Sequence, residues 1–221
     1  MGAGMTRALF CLLTLSAALA ACAPATAWPA PAPGTLFSDD FTNPLSGWDR
    51  HSAPDITTDY AGGRYLIAVE PPGIDVWATP GLSFADAALE VNAVHAAGPA
   101  GDEYGLLCRF RRSGDQASFY FFVIRADGTF AAGKVIKNTR SVLSSSSGGF
   151  TPLQAIHTQA GALNRLAAAC AGNEFSFQVN GLPAAAFADE SLTQGEAGLL
   201  AGTFEAGGLK VLFDDFTVRP S

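Results

Sequence analysis

From residue 35 onward, short apolar runs rich in Phe, Val, Ile and Leu alternate with clusters of Gly, Pro, Asn and Asp. Runs of this length between turn residues predict strands rather than helices. They fall at Leu36–Phe41, Tyr65–Glu70, Asp75–Thr79, Ala87–His95, Tyr104–Arg111, Ala117–Arg125, Thr129–Ile136, Leu163–Ala171, Glu174–Val179, Ala185–Ala188, Ala197–Gly202 and Leu209–Val218. Asn180-Gly181, between two such runs, predicts a tight hairpin because both residues tolerate positive φ, and Asp127-Gly128 and Gly172-Asn173 predict two more turns. Helical patterning is confined to 152–159 and 161–169, and strand pairing also claims the second, so a turn or two of helix is expected at most. The class implied is all-β, a sandwich or barrel of antiparallel sheets.

The first residues follow a different pattern. Arg7 precedes an apolar run, Ala8–Leu19, that is too short to span a bilayer, and Leu19-Ala20-Ala21-Cys22 follows. A basic start, a short apolar stretch and small residues describe a secretory signal. The last four residues resemble a bacterial lipobox, which makes Cys22 the expected lipid-bearing residue; the competing expectation is ordinary cleavage near Ala23–Ala27. Met5 is an alternative initiator. Residues 23–34 are Ala, Pro and Thr with a final Gly34 and Trp28 as the one large side chain, a composition for an extended tether. The expected organisation is a lipoprotein signal over 1–21, a tether over 22–34 and one β-sandwich over 35–221, exported and held on the outer face of a bacterial membrane by acyl chains.

Composition narrows the partners. With 13 Lys and Arg against 20 Asp and Glu the net charge is −7, and removing the signal, which holds Arg7 and no acid, makes it more negative. Nucleic acid, which needs clustered cations, is not expected as a partner. Of the four cysteines only Cys108 and Cys170 lie in the folded part. In an exported protein this remainder of two implies one disulfide, the alternative being two buried thiols. Alternation puts Cys108 on a face with Leu106 and Phe110, and Cys170 with Leu166 and Ala168.

Leu36-Phe37-Ser38-Asp39-Asp40-Phe41, Gly47-Trp48, Asp102-Glu103-Tyr104-Gly105-Leu106, Tyr120–Ile124 before Asp127-Gly128, Phe177-Gln178-Val179-Asn180-Gly181 and Phe213-Asp214-Asp215-Phe216 resemble, in this order, bacterial concanavalin A-like lectin/glucanase domains. These include laminin-G-like exported domains and those related to 3-keto-disaccharide hydrolases. The resemblance implies a jelly-roll sandwich of two antiparallel sheets with terminal strands paired side by side, which suits the near-repeat of Ser38–Phe41 in Phe213–Phe216. It does not imply one function, because the fold carries lectins, glycosidases and protein-binding domains alike.

Candidate chemistry is sparse. Retaining glucanases of the family carry paired carboxylates on one strand, whereas the nearest pattern here, Glu90-Val91-Asn92-Ala93-Val94-His95, has Asn92 and His95 at two of those positions. No catalytic residue is assigned; Asp75, Asp102 and Glu103 are further carboxylates whose spacing does not say whether they meet. His51, His95 and His157 lack metal-protease spacing, and Ser144–Ser147 lacks a nucleophile elbow. Asp39, Asp40, Asp214 and Asp215 raise a structural calcium ion, against turn capping as the competing expectation, and no cofactor is required. In Ile74-Asp75-Val76-Trp77, alternation sets the Trp77 ring beside a polar partner, the arrangement on which a sugar ring stacks. Asp75, Trp77, Glu90, Tyr104, Arg109, Arg111 and Tyr120 are therefore the candidate ligand-binding residues, with a glycan or envelope polysaccharide as ligand. Core packing of Trp77 and the tyrosines is the competing expectation. A protein-interaction domain and a carbohydrate-active hydrolase are the alternatives.

Overall fold

The computed structural model describes Met1 and residues 34–221; the expected signal, Cys22 and most of the tether lie outside the described residues. Seventeen strands form the described fold, with no helix among those residues. They are β1 (Phe37–Asp39), β2 (His51–Ser52), β3 (Ile56–Tyr60), β4 (Tyr65–Val69), β5 (Asp75–Ala78), β6 (Ser83–Phe84), β7 (Ala87–Ala97), β8 (Glu103–Ser113), β9 (Gln116–Arg125), β10 (Thr129–Ile136), β11 (Thr139–Val142), β12 (Thr151–Pro152), β13 (Leu163–Ala171), β14 (Glu174–Val179), β15 (Leu182–Ala188), β16 (Gly195–Gly202) and β17 (Leu209–Arg219).

Two antiparallel sheets result. The first runs β15-β14-β13-β7-β17-β4-β3-β2, with β1 added to β17, and the second runs β11-β10-β9-β8-β16-β5, with β12 on β10 and β6 on β16. The terminal strands pair as the near-repeat implied, Asp39 opposite Phe216 and Phe37 opposite Val218. Residues from three separated motifs meet there, because the Trp48 ring lies 5.2 Å from Phe41 and 4.9 Å from Phe216. Asn180 and Gly181 take φ of 52° and 80°, the values a tight β14–β15 hairpin requires.

Period-two alternation fills the space between the sheets. Leu89, Val91 and Ala93 of β7, Leu166, Ala168 and Cys170 of β13, Phe175 and Phe177 of β14, and Val211 and Phe213 of β17 face Tyr104, Leu106 and Cys108 of β8 and Tyr120, Phe122 and Ile124 of β9. The Cys108–Cys170 disulfide crosses this core and ties the two sheets together.

A second apolar cluster lies on the other face of the second sheet: Leu107, Phe110, Phe119, Phe121, Val123 and Leu200, with Trp77, Val142 and Phe150 packed on it. This explains why 119–124 is apolar at every position: both of its faces are covered. It also corrects the expected place of Phe110. A β-bulge between Cys108 and Arg111, with Arg109 at φ 54°, sends Phe110 to the outer face while Cys108 stays in the core.

Candidate functional site

Edge strand β5 carries the site. Val76 and Ala78 point into the core, so Asp75 and Trp77 face outward from the second sheet. Trp77 is half-buried, its ring 5.2 Å from Phe110 and 6.0 Å from Phe119, and one edge stays open to a cleft of about 510 Å³. Asp49, His51, Asp75 and Arg112 line that cleft with it. An indole flanked by carboxylates, an imidazole and a guanidinium offers an apolar platform with donors and acceptors around it.

Across β16 the row continues. Gly202 pairs with Asp75 on one side and Glu103 on the other. Glu103 has no exposed surface, and both of its oxygens accept from Arg140, at 2.6 and 2.7 Å. Arg140 also comes within 3.9 Å of the exposed Asp75 carboxylate, and its guanidinium lies 4.0 Å from the centre of the Phe121 ring. Burial pushes the Glu103 carboxyl up to about 7, Arg140 opposing the shift. Partial desolvation by its neighbours likewise raises the Asp75 carboxyl although one side of it stays exposed, again against Arg140. Asp75 and Glu103 thus do meet, joined by Arg140 on the Trp77 face.

The other candidates stand elsewhere. Glu90 lies on the outer face of the first sheet, paired with Arg165 at 2.6 Å, and not with Trp77. Tyr104 and Tyr120 point into the core. Burial raises the Tyr104 phenol, and it pushes the Tyr120 phenol up to about 12. Tyr120 donates to Asp189 at 2.6 Å and accepts from the Leu192 amide. Arg109 is buried under the same sheet, donating to the Ala85 and Leu192 carbonyls at 3.0 and 2.6 Å and to Asp86. Its odd number would put it beside Leu107 by simple alternation, but the bulge turns it inward. Past the bulge Arg111 pairs with Ser118 and donates to the Gln194 carbonyl, leaving Arg112 on the Trp77 side. These five residues line no common site with Trp77.

The paired aspartates act locally. Asp39 accepts from the Phe41 amide and the Ser46 hydroxyl, and Asp40 from the Thr42 amide and hydroxyl. Asp214 accepts from the Asp215 amide, and Asp215 from the Asn92 side chain. Among the described residues no group of three or more His, Cys, Asp and Glu is arranged to hold a metal ion.

Sequence reasoning missed Arg140 and Arg112, and it named Glu103 as a carboxylate without placing it beside Trp77. The four-residue β11 that carries Arg140 lacks an apolar run, and the face taken by Arg112 depends on the bulge.

No family model and no curated protein matches the chain. Solved structures of the same architecture do. A galectin-like-fold protein of unknown function from Bacillus subtilis superposes with a TM-score of 0.65 at 12% identity, covering 85% of this chain and 96% of that one. The carbohydrate-binding module CBM66 from Bacillus subtilis gives 0.59 at 15%, covering 78% and 95%. A laminarinase from a Flavobacterium gives 0.58 at 11%, covering 84% and 99%. The chain is therefore an all-β, galectin-like sandwich of two antiparallel sheets.

Proposed function

We propose that this protein is an exported, lipid-anchored, non-catalytic module that binds a glycan or envelope polysaccharide in the Trp77 cleft at the β5 edge of its second sheet. The observation that carries the reading is the partly exposed Trp77 ring set in a polar cleft beside Asp75. An indole takes the C–H face of a sugar ring, and Asp75, Asp49 and Arg112 take its hydroxyls. Two of the neighbours named above bear on carbohydrate, one a binding module and one an enzyme, and this supports the ligand class. The net charge of −7 argues for a neutral ligand. Anchoring rests on Cys22 and the segment before it.

A glycan-array and polysaccharide screen with the purified protein tests the reading. Saturable binding that Trp77→Ala weakens tenfold or more supports it, and absence of binding over a broad panel overturns it. Repeating the screen with EDTA tests the calcium expectation for Asp39, Asp40, Asp214 and Asp215. Labelled palmitate incorporated in a bacterial host and lost in Cys22→Ala tests the anchor.

The convergence of Asp75 and Glu103 favours one second reading, a carbohydrate-active hydrolase. Glycosidases need two carboxylates with free oxygens, whereas both Glu103 oxygens are held by Arg140. Release of reducing ends from a bound glycan, lost in Asp75→Asn, would establish it.

A further inference from the structure

At the end of the sandwich where β8 begins and β9 ends, a second pocket of about 480 Å³ opens between the segments around 99–102 and 204–206, lined by Pro99, Gly101, Asp102, Arg125, Phe204 and Glu205. Two buried polar atoms of its lining residues have no hydrogen-bond partner in the protein. Asp102 is 1% exposed; its Oδ1 accepts from the Phe204 amide at 3.1 Å, and its Oδ2 has no partner. The Arg125 guanidinium lies 3.3 Å from the Phe150 ring centre and 4.3 Å from that of Phe204, and its buried Nε–H has no acceptor. An unpaired buried polar group is unfavourable, and a bound molecule that supplies the missing partner relieves it.

The chemistry of the opening is selective. One acceptor and one donor are unfilled, and a hydroxyl is the group that both donates and accepts. Phe204 is 39% exposed and provides an apolar face beside them. Asp102 and Glu205 disfavour an anion, while the cation of Arg125 is taken up by the two rings. The pocket sits among loops at the strand ends rather than along the sheet, away from the Trp77 row that a running chain would follow.

We propose that this pocket is a second carbohydrate subsite that takes a single neutral sugar residue at a chain end. One hydroxyl donates to Asp102 Oδ2 and accepts from Arg125 Nε–H, and the ring's C–H face lies against Phe204. The inference rests on the glycan reading but not on the Trp77 cleft.

The test is an NMR titration of the isotope-labelled protein with glucose, galactose, mannose, fructose, xylose and N-acetylglucosamine, following Arg125 Nε–H, the Phe204 ring and the Trp77 indole N–H. The expected result is a saturable shift at Arg125 and Phe204 with at least one sugar, kept in Trp77→Ala and weakened about tenfold or more in Asp102→Asn, which loses a hydrogen bond to a charged acceptor. Phe204→Ala, which alters a solvent-facing ring, gives the same weakening and serves if Asp102→Asn does not fold. Shifts confined to Trp77 in the wild type, or an Arg125 response undiminished in the folded variants, overturn the subsite and leave the proposed function standing. No response at either place overturns the subsite, and the polysaccharide screen then decides the wider reading by itself.

Discussion

Gly202 sets how closely Asp75 and Glu103 approach across β16. A Cβ at this position would collide with Asp75 Oδ1 and stand 3.2 Å from the Glu103 side chain. The exposed Asp75 carboxylate swings away at little cost, while the enclosed Glu103 cannot. Gly202→Ala is therefore expected to weaken glycan binding several-fold and also to lower the urea midpoint, because the added methyl is forced against the enclosed Glu103, which a titration and a denaturation curve on one sample measure together. Glu103 also makes stability pH-dependent. Its carboxyl keeps a proton up to about 7 in the fold but only to an ordinary 4.5 in the open chain. Folding takes up a proton between those values, so this contribution is complete below 4.5 and is lost as pH rises through 7. Wild type should gain stability between pH 8 and pH 5 relative to Glu103→Gln, by about 3 kcal/mol at most, in urea unfolding at the two pH values. At this scale the sequence is legible where simple alternation holds: Asp75 and Trp77 share a face as two residues on one strand must. It misleads at Arg109, where one residue in the left-handed region redirects the side chain into the core.

Among the elements, β8 and β13 are the pair whose link is covalent. The Cys108–Cys170 bond joins opposite sheets across a separation of 62 residues, a loop whose closure restricts the unfolded chain by about 4 kcal/mol in the chain-entropy account. Replacing both cysteines by Ala should lower the unfolding free energy by roughly that amount, and reductant should shift the wild type but not the variant; if the bond were absent, reductant would shift neither. All the strands read from apolar runs are present, because burial between or upon sheets is what apolar runs signal. β3, with the sequence Ile56-Thr57-Thr58-Asp59-Tyr60, and β11, with Thr139-Arg140-Ser141-Val142, escaped notice because their residues are mostly polar and half-exposed. β11 carries Arg140, so the cation that joins Asp75 to Glu103 was hidden with it. Pro152 ends β12, and the rest of the segment to Gln159 forms turns and irregular backbone with no helix.

For the molecule as a whole, two sheets, their order and an apolar cluster on the outer face make one β-sandwich, and the sequence conveys the class much better than the site. Strand count and turn chemistry belong to local segments, whereas the Trp77 row is assembled from β5, β8, β11 and β16, which only the completed sheet brings together. Net charge adds a last prediction at this scale. A neutral glycan bound through stacking and hydrogen bonds should show an affinity that changes less than about twofold between low and high salt, in contrast with the steep dependence of phosphate binding. Finally, the β1–β17 ladder places the two ends of the fold side by side: Phe37 is paired with Val218, and the Leu36 amide donates to the Val218 carbonyl at 2.8 Å. Such closure brings the two ends of the described fold, residues 36–39 and 216–218, into one ladder. A short Gly-Ser bridge from Ser221 to Thr35, with the backbone opened at the exposed Gly172-Asn173 turn, therefore yields a circular permutant expected to keep the same sheets and disulfide, and the Trp77 cleft moves no closer to either new end than the sheet geometry dictates.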